Sequence, residues 1–447
     1  MSAEHPASQE IPRPQILTER ALSALERFSH IEAVSGIALL LAAIIALVWA
    51  NSSIADSYDH FWHMPVTIGL GDFTISRSLH FLVNDGLMTV FFLVVGAEIR
   101  QEIHNGALAT IKLATLPLGA ALGGVLIPAF LYLLLNQGTA ASNGWAVPTA
   151  TDIAFAVGVL ALLGKSIPGG VRILLLALAI IDDIVAILII AAFYTASLDY
   201  MGLVVAIAGM LIVVTFQRMG MSKAYAYLLP GAVVWFGLAK TGVHPTLAGV
   251  ILGLMTPVVS KPMKERPLEM IQRTFHELVD RIGHPSDGPK EIVQPLKQLQ
   301  QAQREILPPV QRIQLGLHPW VAFGVMPLFA LANAGVSLKG LNLNDPVAHG
   351  VFYGVVMALV LGKPLGVILA SFALVKLNVC QLPEGVTWRG VSLVGLLAGI
   401  GFTMSIFISS LAFADPMLLS TAKLAVLVAS LLAATMGLVW GKLNFRA

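Results

Sequence analysis

Residues 174–194 read LLLALAIIDDIVAILIIAAFY. The run is long enough to cross a bilayer, which takes about 20 apolar residues. Two acids, Asp182 and Asp183, stand side by side in its middle. A charge at the bilayer centre costs about 2.5–3.5 kcal/mol on insertion scales, and folding alone gives no reason to carry two. The ordinary alternative is a soluble core helix with an internal salt bridge, and composition argues against it. Of 447 residues, 57% are hydrophobic and only 12% charged, whereas soluble domains carry about 25% charged residues. Mean hydropathy is +0.82. The expected class is therefore an all-α, polytopic membrane protein, with the acid pair as an ion or proton site. Long apolar runs, in place of short alternating strands, exclude a β-barrel reading.

Composition narrows the function further. A net charge of +2 and the lack of a basic, aromatic-interleaved stripe give no reason to expect a nucleic-acid partner. The single cysteine, Cys380, excludes an internal disulfide and a cysteine-based metal site. No cofactor and no enzymatic activity are expected. Residues 1–32 are polar, carry both signs of charge, and read as a cytoplasmic segment instead of a cleaved signal peptide.

Working outward, apolar runs predict about 12 spans. Eight lie in 33–256 and four in 318–441, separated by a cytoplasmic insertion at 257–317 and followed by a short cytoplasmic end at 442–447. The seventh and eighth, 224–239 and 242–256, are short and tightly joined at Lys240-Thr241-Gly242. Lys and Arg collect in alternate loops: Arg100 with Lys112, Lys165 with Arg172, Arg218 with Lys223, and Lys376 with Arg389. The intervening loops hold only Arg77, Lys240 and Lys339. This asymmetry places both termini in the cytoplasm. Residues 64–76, MPVTIGLGDFTIS, read as a short extracytoplasmic β-hairpin around Gly69-Leu70-Gly71, suited to pairing with a second subunit. In the insertion, Leu268, Ile271, Phe275, Leu278 and Ile282 follow helical spacing, as in an amphipathic helix on the bilayer or the protein body. The stretch 283–289, GHPSDGP, reads as a linker.

Polar residues recur at membrane depth. Neighbours on a helix point about 100° apart, so Asp182 and Asp183 cannot have identical surroundings. Pro148-Thr149-Ala150-Thr151-Asp152 in the fourth span combines a lost amide donor with side-chain oxygens, which predicts a broken helix. Gly399-Ile400-Gly401-Phe402-Thr403 in the eleventh span predicts a second break. Breaks at matching positions of two halves point to inverted-topology repeats, with two discontinuous helices crossing near the midplane. Their dipole ends need compensation, which Asp152 can give to positive ends and Lys363 to negative ones. Lys363, beside Pro364, serves either as counter-ion for an aspartate or as a titrating group itself. Asp85 and Glu98, in the second span, suit a funnel lining or a pH response, and Glu102 a helix-end charge reaching the interface. Histidine titrates near neutral pH, so His244 suits either a sensor or ordinary capping.

At these residues the chain resembles the NhaA family of bacterial Na⁺/H⁺ antiporters. The matching stretches are ATDIAFAVGVLALLG (150–164), LALAIIDDIVAI (176–187), GVHPTLAGVI (242–251), FALANAGVSL (329–338), GKPLG (362–366) and GIGFTMSIFISSLAF (399–413). The resemblance implies an electrogenic inner-membrane antiporter that exports Na⁺ and Li⁺ against H⁺ and is active at neutral to alkaline pH. It assigns Asp182 and Asp183 to the ion site, with Asp183 the stronger ligand. It makes Thr151 and Asp152 broken-helix residues and Lys363 the partner of Asp182. It links Asp85, Glu98 and His244 to the funnel and pH response, and the 64–76 hairpin to a homodimer contact. One departure stands out. Where the family carries an acid and two histidines before Pro-Trp, residues 312–320 read RIQLGLHPW, so Gln314 and Leu315 replace titratable groups and only His318 remains. The insertion at 257–311 has no evident family counterpart by this reading.

Two rivals deserve comparison. An intramembrane aspartyl protease would place Gly-x-Gly-Asp on a membrane helix, and none of the expected spans carries that motif. A sodium-coupled organic-solute symporter on a similar scaffold would need a cavity with uncompensated cations, whereas this chain offers three central acids and one lysine.

Overall fold

The computed structural model describes residues 34–445, apart from 71–72, 107, 196–198, 222–223, 260–266, 283–288 and 340–344. The expected N-terminal segment 1–32, most of the linker at 283–289 and the last two residues lie outside the described residues.

The chain opens with α1 (Val34–Ala50), which turns through 115° into α2 (Ala55–His63). Strands β1 (Pro65–Leu70) and β2 (Phe73–Ser78) then pair antiparallel, Val66 opposite Arg77 and Leu70 opposite Phe73. The hairpin expected at 64–76 is thus present, running from Pro65 to Ser78. Its turn lies outside the described residues. Helices α3 (Leu79–Asn105) and α4 (Ile111–Leu135) follow. The next span is interrupted: a 3-10 segment Ala140–Thr149, then α5 (Ile153–Leu162), bent by 46°. α6 (Gly169–Phe193) carries the acid pair, and α7 (Tyr200–Met219) comes after it.

α8 (Leu228–Thr241) and α9 (Leu247–Leu254) are too short to count as full spans. Their separation has a local cause: Gly242 ends α8 with a positive φ of 85°, a conformation glycine adopts without strain. These two pieces account for the difference between the dozen spans expected and the structure. Among the described residues, seven helices are long and apolar enough to cross a bilayer, or ten if each bent pair is one span.

In the insertion, α10 (Pro267–Ile282) packs against α11 (Pro289–Glu305). The expected apolar stripe is divided: Ile271 and Leu278 are half-buried, while Leu268 and Phe275 are exposed. α12 (Pro309–Asn333) starts well before the expected boundary at His318, so residues 309–317 belong to the spanning helix. α13 (Pro346–Lys376) follows, then the second interrupted span, α14 (Trp388–Ala398) and α15 (Phe402–Ala412), bent by 44°, and last α16 (Pro416–Asn444).

Burial identifies the centre. Of the apolar window of α6, 67% is buried, against 22% for α7, so α6 is wrapped by protein and α7 faces its surroundings. α4 and α13 cross closely at Gly123 and Gly366. A Cβ on Gly366 would lie 2.1 Å from the Gly123 carbonyl oxygen, so only glycine permits this approach. The crossing brings Lys363 into the core beside Gly124. Just before it, residues Ala358–Gly362 form a widened π turn, as expected where Pro364 removes an amide donor.

Candidate ion site at the two helix breaks

The two interrupted spans meet at their breaks. Ala150 and Asp152 have extended backbone, and the Asp152 amide donates to the Ile400 carbonyl at 2.7 Å. The Thr151 hydroxyl lies 2.9 Å from the carbonyl of Ala398, the last residue of α14. Gly399 lets the second break approach α13 closely, since a Cβ there would sit 2.6 Å from the Leu359 carbonyl oxygen.

Interrupting a helix exposes amides at one end and carbonyls at the other, and in a membrane each needs a partner. Asp152 serves two positive ends. Its Oδ1 accepts from the Phe155 amide at 3.0 Å, capping α5, and its Oδ2 accepts from the Thr403 amide at 3.0 Å, at the start of α15. The Thr403 hydroxyl donates to the same Oδ2. Ser430 of α16 accepts from the remaining Phe402 amide at 3.0 Å. Lys363 serves a negative end, donating to the Thr149 carbonyl that closes the 3-10 segment. The compensation expected from dipole arithmetic is therefore present as hydrogen bonds.

Lys363 also reaches the acid pair. Its Nζ lies 2.8 Å from Asp182 Oδ2, with both side chains fully buried. The Thr151 hydroxyl is 2.6 Å from the same Oδ2. One hydroxyl proton cannot serve both Asp182 and the Ala398 carbonyl, so Thr151 donates to one at a time. Asp182 Oδ1 and Asp183 Oδ1 are buried without a hydrogen-bond partner. Asp183 is 1% exposed, and its charged neighbours are Asp182, Glu98 and Asp152, with Lys363 the cation among them. Asp152 is matched by two helix N-termini and Asp182 by Lys363. Asp183 is the carboxylate left over.

The remaining expected residues divide. Glu98 lies on α3 facing Asp183, and Glu102 one turn further along that helix. Asp85 and His244 form a separate pair, Oδ1 to Nε2 at 3.5 Å, with His244 Nδ1 2.8 Å from the Thr246 hydroxyl. His318 is half-buried on α12 beside the widened turn Val321–Val325. Reading the sequence did not single out Ser430, Asn84, Asn333 or Lys423. Only Lys423 left a signal, a lone cation in an apolar run, and it was absorbed into the edge of the expected last span.

A multi-pass helical protein whose buried ionisable groups gather where two interrupted spans meet has the construction of a secondary, ion-coupled transporter. The family model described as Na+/H+ antiporter 1 matches residues 26–440, and the chain belongs to that family. It is 62% identical over 431 residues to the Na(+)/H(+) antiporter NhaA of Janthinobacterium sp. (strain Marseille), covering 96% of this chain and 95% of that one. To Na(+)/H(+) antiporter NhaA 2 of Pseudomonas putida (strain KT2440) it is 61% identical, with 98% and 97% covered. To the Na(+)/H(+) antiporter NhaA of Bartonella henselae it is 53% identical, with 98% and 97% covered. Each of these matches covers at least 95% of both chains. The organic-solute symporter finds no support in these relationships.

Proposed function

We propose that this multi-pass inner-membrane protein is a Na⁺/H⁺ antiporter in which Asp183 and Asp182 bind either the sodium ion or protons. The observation that carries the reading is Asp183, a buried carboxylate with an unpartnered oxygen and no counter-charge of its own. Such a group in a low dielectric must be neutralised, and either a proton or a small hard cation can do it. Na⁺ prefers oxygen ligands, by the logic that governs Ca²⁺ and Mg²⁺. Asp183, Asp182, the Thr151 hydroxyl and a backbone carbonyl at the breaks supply oxygens of that kind.

Sodium and protons then compete for one negative site. Entry of Na⁺ displaces a proton, and protonation expels Na⁺, so alternating exposure to the two membrane faces yields exchange without a separate coupling device. Drawing Asp182 toward Na⁺ weakens its bridge to Lys363, so the Asp182–Lys363 pair titrates with the site as one coupled unit. Moving more protons inward than Na⁺ outward makes the cycle electrogenic, and the membrane potential contributes about 2.3 kcal/mol per net charge per 100 mV. Li⁺, smaller and harder still, shares the route.

The lysine and arginine asymmetry of the loops supports cytoplasmic termini. The β1–β2 hairpin offers an exposed two-stranded edge for a homodimer. Asp85, Glu98, Glu102, His244 and His318 are assigned to the funnels and the pH response, with Gln314 and Leu315 shifting or flattening the pH profile.

Purified protein in proteoliposomes should move protons when Na⁺ is added, increasingly from mildly acidic to alkaline pH, and Asp183→Asn should not. Folded, reconstituted protein that responds to neither Na⁺ nor Li⁺ at any pH would overturn the proposal.

A further inference from the structure

A second polar cluster lies on the hairpin side of the molecule, and the exchange cycle above uses none of it. Asn84 of α3 and Asn333, the last residue of α12, exchange carboxamide hydrogen bonds. Asn333 Nδ2 donates to Asn84 Oδ1 at 2.7 Å, and Asn84 Nδ2 to Asn333 Oδ1 at 3.3 Å. Lys423 of α16 donates to Asn333 Oδ1 at 3.4 Å. An ammonium group has only donors, so Lys423 requires the oxygen of Asn333 to face it, and this fixes which way the amide points. His80 Nε2 stands 3.3 Å from Asn84 Nδ2.

Asn84 sits in a widened π turn, Leu82–Leu87, and the next residue is Asp85. Two other widened turns occur among the described residues, Val321–Val325 and Ala358–Gly362, and each lies just ahead of a proline, Pro327 and Pro364. A proline removes an amide donor and explains a widened turn from the sequence alone. The turn LVNDGL has no proline in or just after it. Its geometry is held by side chains: the Trp235 indole of α8 donates to the Asp85 carbonyl at 3.3 Å, Thr89 of the same helix donates to that oxygen, and the Asn84–Asn333 pair ties the turn to α12.

The turn aims the Asp85 carboxylate. Its Oδ1 lies 3.5 Å from His244 Nε2, and the His244 ring stands edge-on to Phe407, centroids 5.2 Å apart. Phe407 is one helical turn beyond Thr403, which holds Asp152. The placement of Asp85 is thus connected by direct contacts to the second helix break.

We propose that Trp235 and Asn333, with Lys423 orienting the amide, are positioning residues for exchange: they hold the proline-free widened turn that sets Asp85 against His244. The inference rests on the antiporter reading. Among the described residues, the charged and titratable groups facing this region are His63 on α2, which stacks on His80, Arg77 from β2, His80 on α3, His244 ahead of α9 and Lys423 on α16.

The test compares Trp235→Phe, which keeps an aromatic ring but not the indole donor, and Asn333→Ala with Asp85→Asn in proteoliposomes, varying Na⁺ and pH. Each positioning variant should keep its maximal rate within about twofold of wild type. Each should raise the apparent KM for Na⁺ about fivefold, the factor carried by one ordinary hydrogen bond. Each should also displace the pH of half-maximal exchange in the direction that Asp85→Asn does. An unchanged KM and midpoint, or a fall in maximal rate alone, would overturn the proposal. A second readout does not depend on transport. In detergent, the melting-temperature losses of Trp235→Phe and Asp85→Asn should add to less than their sum in the double variant, because both act on one turn. Additive losses would overturn the proposal. Wild-type protein that melts cooperatively yet exchanges nothing would instead sink the antiporter reading, leaving the melting comparison to decide this one.

Discussion

Adjacent aspartates should respond in opposite ways to the same substitution. Asp182→Asn removes the carboxylate that pairs with Lys363 at 2.8 Å, where both side chains are fully buried. Breaking a buried pair from one side typically costs about 3–5 kcal/mol, because the other charge is left without compensation. Lys363 keeps the Thr149 carbonyl, which places the loss toward the lower end of that range. At about 2.1 cal/mol/K of unfolding entropy per residue, this is a melting-temperature loss of about 3–4 °C for a chain of 447 residues. Asp183→Asn removes a buried negative charge whose charged neighbours are mostly acids, and it should leave the melting temperature unchanged or raise it. Both variants should lose exchange. The assay is thermal melting of purified protein in detergent without Na⁺, at one pH and scan rate, since membrane-protein melting is seldom reversible. The double variant Asp182→Asn/Lys363→Met should recover most of the loss. Equal losses for the two single variants, or a larger one for Asp183→Asn, would refute the assignment of Lys363 to Asp182.

Three further outcomes are expected. Thr403→Val keeps the backbone bond to Asp152 but deletes the hydroxyl bond, so it should cost about 1.5–3 kcal/mol in melting and slow exchange; an unaffected variant would show that the Asp152 bridge between α5 and α15 is dispensable. Because protons and Na⁺ share Asp183, the apparent KM for Na⁺ should rise as pH falls, by up to about tenfold per pH unit for one-proton competition, with the saturating rate less affected; a KM independent of pH would exclude competition. Deleting the hairpin at 65–78 should shift the protein from dimer to monomer by light scattering while single molecules still exchange ions; a dimer that persists would relocate the interface.

How much of this was legible depended on how local each cause is. Asp182 and Asp183 in an apolar run announce a membrane span and an ion site by themselves. Pro148 and the Gly399–Gly401 pair mark the two breaks because each acts on the backbone beside it. The short α8 and α9 were less legible, since their lengths depend on Gly242 taking a positive φ and on packing against α7 and α3. The start of α12 was misplaced because residues 309–317 mix polar and apolar side chains and extend the helix beyond its apolar portion. Least visible were the partners of the polar groups. Thr151 and Ala398, Thr403 and Asp152, and Asn84 and Asn333 are each separated by about 250 residues, and hydrophobic periodicity carries no information across such distances.

The central claim is that one buried carboxylate site holds either Na⁺ or protons. Calorimetry of Na⁺ binding to purified protein, repeated in buffers of different ionisation enthalpy, counts the protons released per sodium bound. Proton release by the wild-type protein that is abolished in Asp183→Asn is the predicted result. Sodium binding that releases no protons at any pH would contradict the claim.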